Sequence, residues 1–326
     1  MSASSRQGEE READELAQPD APDGSTLESF SSALVEVDLA AASQAGTARA
    51  DNTDHYIAVR MERSLLGVLS NLPADTLPHS FDETAYGMAV ADGMSAMSGA
   101  ALASTAALRK LVELVVNTPD WIMRLNRRKA AAVKRRLVER FGQIDLALKE
   151  RSEKDPRMAG ISSTLTVACS LGSDLFVAHI GDTRAYLMRG GLLHQVTSDH
   201  TMAQAMIDAG VAGAGDAVVR GTRRVLTAAL GSALPSNPEV QRLRLRHGDQ
   251  VLLCTDGLTE GADFETIGSI LRKGGSADEA CRDLIEAALR GGSNDNITVV
   301  LARYRFPQTD SPNRSVDATQ PAAQNV

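Results

Sequence analysis

Cysteine is scarce in this chain: 326 residues contain 3, namely Cys169, Cys254 and Cys281. Their wide separation fits neither the close pairs of a zinc site nor a disulfide framework. Two of them lie in apolar strand-like runs, which reads as buried free thiols in a reducing cytosol. Aromatic residues make up only 3% of the chain, so the core is expected to be aliphatic and rich in alanine. No apolar run approaches the length of a membrane span, and no signal-peptide pattern opens the chain. A cytoplasmic protein off the membrane is therefore expected. A positive net charge is also lacking, the formal value being −8. Residues 1–30 carry −6 of it, from eight acids against Arg6 and Arg11. The acidity thus belongs to a polar tail and says little about partners of the folded part. That tail reads as disordered, as does the polar stretch 306–326, with one domain expected over 31–305.

What is present is a series of short apolar runs separated by turn residues. Leu34–Leu39 alternates like a strand, and His55–Val59 reads as a second. Residues 60–80, with two prolines, read as a loop or irregular insertion. Met88–Ala91 is a buried strand. From Ala100 to Val116 small and aliphatic residues recur at helical spacing, with Ser98 as the cap. Val133, Leu137, Phe141, Ile144 and Leu148 define one face of a long amphipathic helix. Its other face is basic, with ten Lys/Arg against three acids between Arg109 and Arg140. Such a face is either solvated or a patch for nucleic acid or an acidic partner, and the solvated reading is preferred. Hairpins are expected at Thr164–Ala168 with Leu175–Ile180, and at Ala185–Met188 with Leu192–Val196. A short helix over 200–210 precedes a mobile Gly/Ala-rich segment, Val211–Gly221. Leu243–Leu253 reads as further strand, then come helices around Phe264–Leu271 and Ala277–Leu289 and a last strand, Ile297–Ala302. This order lacks the alternation of a parallel sheet and points to antiparallel sheets covered by helices.

Acids recur at the edges of these strands. Met88–Ala91 stops on Asp92-Gly93, and Val251–Cys254 runs through Thr255 into Asp256-Gly257. Asp295 precedes the strand Ile297–Val300, Asp182 interrupts an apolar stretch, and Asp54 abuts His55-Tyr56-Ile57. One such acid reads equally as a hairpin turn. Five are harder to explain that way, because pairing strands would bring several together. Clustered buried carboxylates repel and must share a proton or a cation. Carboxylates with a glycine carbonyl suit a hard divalent ion. Arg49 is the one cation next to this set, suited either to a phosphate or to a turn-holding ion pair with an aspartate.

Seven motifs follow in order: Arg-x-x-Asn-x-Asp at Arg49–Asp54, Val-Ala-Asp-Gly-Met at Val90–Met94, Gly-x-x-Ser-Thr-Leu at Gly160–Leu165, Ile-Gly-Asp-Thr-Arg-Ala-Tyr at Ile180–Tyr186, Thr-x-Asp-His at Thr197–His200, Cys-Thr-Asp-Gly-Leu at Cys254–Leu258 and Asn-Asp-Asn-Ile-Thr-Val at Asn294–Val299. The set resembles the metal-dependent serine/threonine protein phosphatases of the 2C type, of the bacterial kind, over roughly Ser32–Tyr304. The resemblance implies an α+β fold, a four-layer α-β-β-α sandwich of two antiparallel sheets flanked by helices. It implies hydrolysis of phosphoserine and phosphothreonine in proteins by water activated at a binuclear Mn²⁺ or Mg²⁺ centre, with a possible third ion. Asp92, the Gly93 carbonyl, Asp256 and Asp295 match the binuclear ligands. Asp54 matches the acid supporting that centre, Asp182 the third-metal ligand, and Arg49 the phosphate-binding arginine. Val211–Gly221 falls where the family has its flap. The implied partners are phosphoserine/phosphothreonine proteins, including a serine/threonine kinase or its substrates, and neither nucleic acid nor membrane.

The chain departs from the family pattern at Ser95-Ala96 and Ser162, where glycine is usual, and at Thr53, where Glu or Gln is common. Met94 stands where some members have a histidine general acid. These departures bear on rate and substrate choice rather than on metal binding. They motivate the alternative of a weakly active, phosphoprotein-binding regulator on the same fold. His200, Asp199 and His179 read as structural residues.

Overall fold

A computed structural model of the chain describes residues 35–48, 51–66, 80–95, 99–117, 127–213 and 215–307. The chain divides into two units. The small one, Met1–Ser31 with Ser64–Asp82, is described only at the strand ends 64–66 and 80–82. The large one, Ser32–Arg63 with Glu83–Val326, carries the sheets, helices and site. Arg49, Ala96, Ser98 and both expected disordered tails, apart from Phe306 and Pro307, lie outside the described residues.

Among the described residues, eleven strands form two antiparallel sheets. One runs in the order β1 (Glu36–Gln44), β11 (Ile297–Arg305), β10 (Gln250–Cys254), β7 (Arg184–Arg189), β8 (Leu192–Gln195). The other runs β2 (Asp54–Leu66), β3 (Ser80–Met94), β5 (Leu165–Leu171), β6 (Asp174–Ile180), β9 (Glu239–Arg244), with β4 (Ser162–Ser163) against the end of β3. Successive strand residues point to opposite faces, and here both faces are covered. On β10, Val251 and Leu253 meet Val300, Ala302 and Tyr304 of β11 and Met88 and Val90 of β3 in the layer between the sheets. Leu252 and Cys254, with Val299 and Leu301, face the helices instead. Continuous apolar runs such as Val251–Cys254 are therefore strands buried twice, not half-buried alternating ones.

Two helices cover the second sheet, α1 (Ala100–Val116) and α2 (Arg127–Lys154). Leu137, Phe141, Ile144 and Leu148 are buried on one face of α2, each contributing roughly 1.5–3 kcal/mol relative to exposure. Ala103, Ala106 and Ala107 of α1 meet Ala85, Ala89 and Ala91 of β3, so small side chains on both partners let the helix lie close to the sheet. Helices α6 (Phe264–Arg272) and α7 (Ala277–Arg290) cover the first sheet, with α5 (Asp256–Gly261) at its end. Ser276 and Glu279 close a capping box on α7, and the Asp38 carboxylate of β1 accepts from the Ala277 amide at 2.8 Å. Between β8 and β9 lie two short helices, α3 (Met202–Asp208) and α4 (Ala217–Thr222). The architecture is the α-β-β-α sandwich. Among the described residues no helix is long and apolar enough to cross a membrane.

Four local expectations are corrected. Residues 60–80 are not wholly a loop: β2 extends to Leu66 and β3 begins at Ser80. The prolines, Pro73 and Pro78, lie between those ends, where they break neither strand. The N-cap of α1 is Gly99, which makes no side-chain cap bond. A Cβ there would sit 2.5 Å from the Arg157 carbonyl oxygen, so close backbone approach decided that position rather than capping. Val211–Gly221 contains part of α4, anchored by Val219, which is 1% exposed. Leu243–Leu253 is two strands in different sheets. The break is the polar turn Arg246–Asp249, where Gly248 takes φ +83°.

That turn is held by an ion pair between a buried carboxylate and a partly exposed arginine. The Asp249 carboxylate is 1% exposed and accepts from Arg189 Nε at 3.0 Å, Arg189 Nη2 at 2.6 Å and the Arg246 amide at 2.7 Å. Removing the carboxylate strands the Arg246 amide and takes the anion from Arg189, which keeps the Arg244 carbonyl as a partner. Asp249→Ala is expected to lower stability by about 2–3 kcal/mol in urea unfolding; a change below about 0.5 kcal/mol would show the turn to be held by packing alone.

Candidate metal centre

Strand ends at one end of the sandwich deliver the acids. Asp54 opens β2, Asp92 lies near the end of β3, and Asp182 sits in the turn between β6 and β7. Asp256 begins α5 directly after β10, and Asp295 lies two residues before β11. Asp256 is thus not a simple strand-end turn residue, because its carboxylate stands in the first turn of a helix, where the backbone dipole favours negative charge.

Asp54 is 4% exposed. Its backbone amide donates to Asn52 Oδ1 at 3.0 Å, and its carboxylate accepts from Thr255 Oγ1 at 2.7 Å. Thr255 Oγ1 in turn accepts from the Thr298 amide at 3.0 Å, so one hydroxyl ties β2, β10 and β11 together at the acid. Asp92 is framed by its neighbours through both backbone groups. Its amide donates to Thr164 Oγ1 at 3.0 Å, while its carbonyl accepts from the Thr164 amide and from Ser163 Oγ, each at 3.0 Å. The Gly93 amide donates to the Thr53 carbonyl at 3.2 Å. Asn296 Nδ2 donates to Asn52 Oδ1 and to the Asp51 carbonyl, joining the segment before β2 to the one before β11.

Three glycines let the backbones carrying these acids come together. A Cβ at Gly93 would lie 1.9 Å from the Ala100 carbonyl oxygen, and one at Gly257 would lie 2.0 Å from that of Asn296. At Gly46 it would lie 2.1 Å from the Asp295 carbonyl oxygen. None of these positions admits a side chain without moving main chain.

The electrostatics record the crowding. Burial, then the charges of Asp54, Asp256, Asp182 and Asp295, push the Asp92 carboxyl well above the usual aspartate range. Burial, followed by Asp182, Asp295 and Asp54, raises Asp256 to about 8. Burial and the charge of Asp199 raise Asp182 to about 6. Asp54 is raised too, chiefly by burial, and its carboxyl hydrogen-bonds that of Asp92. The five predicted aspartates therefore sit within reach of each other's charge, an arrangement that favours a shared cation or proton.

A divalent ion fits this donor set. The donors are hard oxygens, their like charges repel, and burial has removed the water that would screen them. The side-chain oxygen Oδ1 of Asn296 is buried without a hydrogen-bond partner among the described residues. Among those residues no three carboxylate, imidazole or thiol groups close on one point tightly enough to enclose an ion by themselves. Ions that keep several waters and take few carboxylates each, as Mg²⁺ does, suit that spacing.

The expected structural residues are placed as such. Asp199 pairs with Arg184 at 2.6 Å. His200 receives the Gly181 amide on Nδ1 at 3.2 Å and donates its own amide to the Gly181 carbonyl at 2.7 Å, pinning the residue before Asp182. His179 stacks 4.9 Å from His200 and hydrogen-bonds Thr166, and burial drops its pKa to about 3. Sequence reasoning missed Thr255, whose signal was a hydroxyl immediately before Asp-Gly. It also missed a cation: Arg224 lies 4.0 Å from Asp295 and 2.6 Å from Glu260, so Arg49 is not the one cation near the acids. A cleft of about 540 Å³ lined by Asp182 and Asp256 at one end and by Arg220, Arg223 and Arg224 from the α4 region opens beside the cluster.

The sequence profile of the Protein phosphatase 2C family matches residues 74–274. The chain is 36% identical over 227 residues to the serine/threonine protein phosphatase PstP of Mycobacterium tuberculosis, covering 68% of this chain and 41% of that protein. The chain therefore spans less than half the length of PstP. It is 27% identical over 219 residues to the serine/threonine phosphatase stp of Listeria monocytogenes, covering 67% of this chain and 84% of the relative. Among solved structures, the M. tuberculosis PstP/Ppp phosphatase superposes with a TM-score of 0.66 at 30% identity, covering 84% of this chain and all of that one. The catalytic domain of PstP in complex with two manganese ions superposes with a TM-score of 0.65 at 29% identity, covering 83% and 99%. The doubly buried antiparallel sandwich agrees with these matches: the chain belongs to the protein phosphatase 2C family.

Proposed function

We propose that the chain hydrolyses phosphoserine and phosphothreonine esters in proteins, with two divalent ions, Mn²⁺ or Mg²⁺, and room for a weaker third. The observation that carries this reading is the convergence of five aspartates at the end of the sandwich, four of them, Asp54, Asp92, Asp182 and Asp256, with carboxyls raised first by burial and then by neighbouring carboxylates. The relatives' names, and the manganese in the PstP structure, support it. Asp92, the Gly93 carbonyl, Asp256 and Asp295 would hold the two ions, with Asp54 supporting them and Asp182 holding the third. When bound, such ions neutralise phosphoryl charge and lower the pKa of water.

The chain's own residues orient and partition charge. Thr255 fixes the Asp54 carboxylate by a hydroxyl that is itself held by the Thr298 amide. The Ser163 and Thr164 contacts hold the main chain of Asp92, and the Thr53 hydroxyl donates to its Oδ1 at 3.4 Å. Arg49, three residues before Asn52, is proposed to bind the phosphoryl oxygens as a fork donor. The arginines lining the cleft suit acidic or phosphorylated protein substrates, among them a serine/threonine kinase or its targets.

Asp256→Asn is expected to reduce Mn²⁺-dependent hydrolysis of p-nitrophenyl phosphate at least about a hundredfold, with circular dichroism unchanged. Full activity in the variant sinks the assignment. No turnover by the parent protein, with metal binding seen by calorimetry, turns the reading to a phosphoprotein-binding regulator.

Thr255→Val keeps the shape and removes the donor to Asp54. It is expected to weaken Mn²⁺ affinity about tenfold or more, read by calorimetry. Unchanged affinity would mean that Asp54 needs no orienting partner.

The raised carboxyls set a pH dependence. A carboxyl whose pKa is higher in the folded chain than its ordinary 3.8 stabilises the fold at acid pH and loses that contribution as pH rises through its folded value. With Asp182 at about 6 and Asp256 at about 8, metal-free protein is expected to lose stability between pH 4 and 8 from this cluster. Divalent ions bind the deprotonated form, so the rise in Tm on adding Mn²⁺ should be larger at pH 8 than at pH 5.5. Equal rises at both values would show that protons and metal do not compete there.

A further inference from the structure

Arg224 stands two residues past α4, on a stretch whose main chain is pinned. The Met202 amide donates to the Val225 carbonyl at 2.7 Å, and the Thr227 amide donates to the His200 carbonyl at 2.8 Å. Thr201 and Leu226 bridge between those two bonds. The backbone after Arg224 is thereby tied to the start of α3, while its side chain reaches to α5. There its Nη2 donates to Glu260 Oε1 at 2.6 Å and lies 4.0 Å from the Asp295 carboxylate. Glu260 follows Asp256 by four residues on α5, so the two acids share one side of that helix. Asp256, Glu260 and Arg224 all border the cleft of about 540 Å³.

Stability does not account for this pair. The side chains of Arg224 and Glu260 are 65% and 32% exposed, and a pair so open to solvent contributes about 0–1 kcal/mol. What sets it apart is where it holds a cation. Arg184 pairs with Asp199, and Arg220 donates to the Gly215 carbonyl. Among the described residues, Arg224 is the cleft arginine within ion-pair distance of one of the five aspartates. Burial and neighbouring carboxylates raise Asp256 to about 8, and the charge of Arg224 works against them. At 4.0 Å Arg224 makes no hydrogen bond to Asp295; its bond goes to Glu260. A guanidinium carries five N–H donors in a planar fork, and Glu260 takes one of them. Such a group, fixed at the cleft wall beside acids suited to divalent ions, matches the anion those ions would attract.

We propose that Arg224, held in place by Glu260, is a further phosphoryl-binding residue, donating to the oxygens of the substrate's phosphoryl group and of the phosphate product. The inference rests on the phosphatase reading and adds a residue to it. A phosphoryl group spreads its charge over several terminal oxygens, so it can engage this guanidinium as well as another.

The test is calorimetric titration of the full chain, saturated with Mn²⁺, with inorganic phosphate, beside phosphate inhibition of p-nitrophenyl phosphate hydrolysis. Arg224→Gln is expected to weaken phosphate about tenfold by both readouts. Its Mn²⁺ affinity, titrated without phosphate, should hold or tighten, because a cation next to Asp295 has gone. Arg224→Lys keeps the charge and loses the fork; its phosphate affinity should fall between the two, and it serves as the test if Arg224→Gln fails to fold by its melting curve. Unchanged phosphate affinity in a folded variant overturns the proposal and leaves Arg224 a counter-ion to the acids. A loss of phosphate affinity that only follows a loss of Mn²⁺ affinity overturns it too. In both cases the parent protein still hydrolyses the ester and the phosphatase reading stands. A Mn²⁺-loaded parent that neither binds phosphate nor turns over the ester sinks that reading and this inference together.

Discussion

Mutual repulsion among buried carboxylates is the constraint on which this structure turns. Asp54, Asp92, Asp182 and Asp256 are each raised above the usual aspartate range, and burial is the largest cause every time. A protein that needed only stability would not hold them there, because desolvating like charges opposes folding. The cost is offset elsewhere, in strands buried on both faces and in helices laid on both outer surfaces. The fold accordingly divides its labour: apolar layers along the strands, polar and strained chemistry at their ends.

The sandwich suits that division. Asp92 ends one sheet's strand while Asp256 follows a strand of the other, and the layer between the sheets, Met88 and Val90 against Val251 and Leu253, sets how far apart the two strand ends lie. Thr255 then links the sheets across the gap, donating to Asp54 and accepting from Thr298. Packing provides the coarse spacing and hydroxyls the fine orientation.

Much of this was legible in the sequence, and the reason is local. Apolar runs ending on Asp-Gly at Asp92 and Asp256, and the Asn-Asp-Asn before β11, announce their chemistry within a few residues. So does the face of α2, whose Leu137, Phe141, Ile144 and Leu148 are all buried. What was illegible depends on long-range partners. The split of Leu243–Leu253 into β9 and β10 follows from Asp249 meeting Arg189, sixty residues away. Gly99 displaces Ser98 as the cap of α1 because the Arg157 carbonyl passes close by. Arg224 reaches Asp295 only once the α3–α4 segment has folded back. Asp54, Asp92, Asp182, Asp256 and Asp295 were each picked out individually; the hydroxyl of Thr255 and the cation of Arg224 were not, since their use is visible only in three dimensions.

The contacts at Gly46, Gly93 and Gly257 have a further meaning. At each, main chain presses on main chain with no side chain between. The close main-chain approaches beside Asp92, Asp256 and Asp295 are thereby set by peptide geometry, on top of the coarse spacing that the core layer provides. Volume-conserving exchanges in the layers beneath keep the coarse spacing, while these contacts keep the local backbone geometry beside the acids. A scaffold of this kind loosens the tie between the evolution of its interior and that of its chemistry, and a relative sharing under a third of its residues still shares the fold.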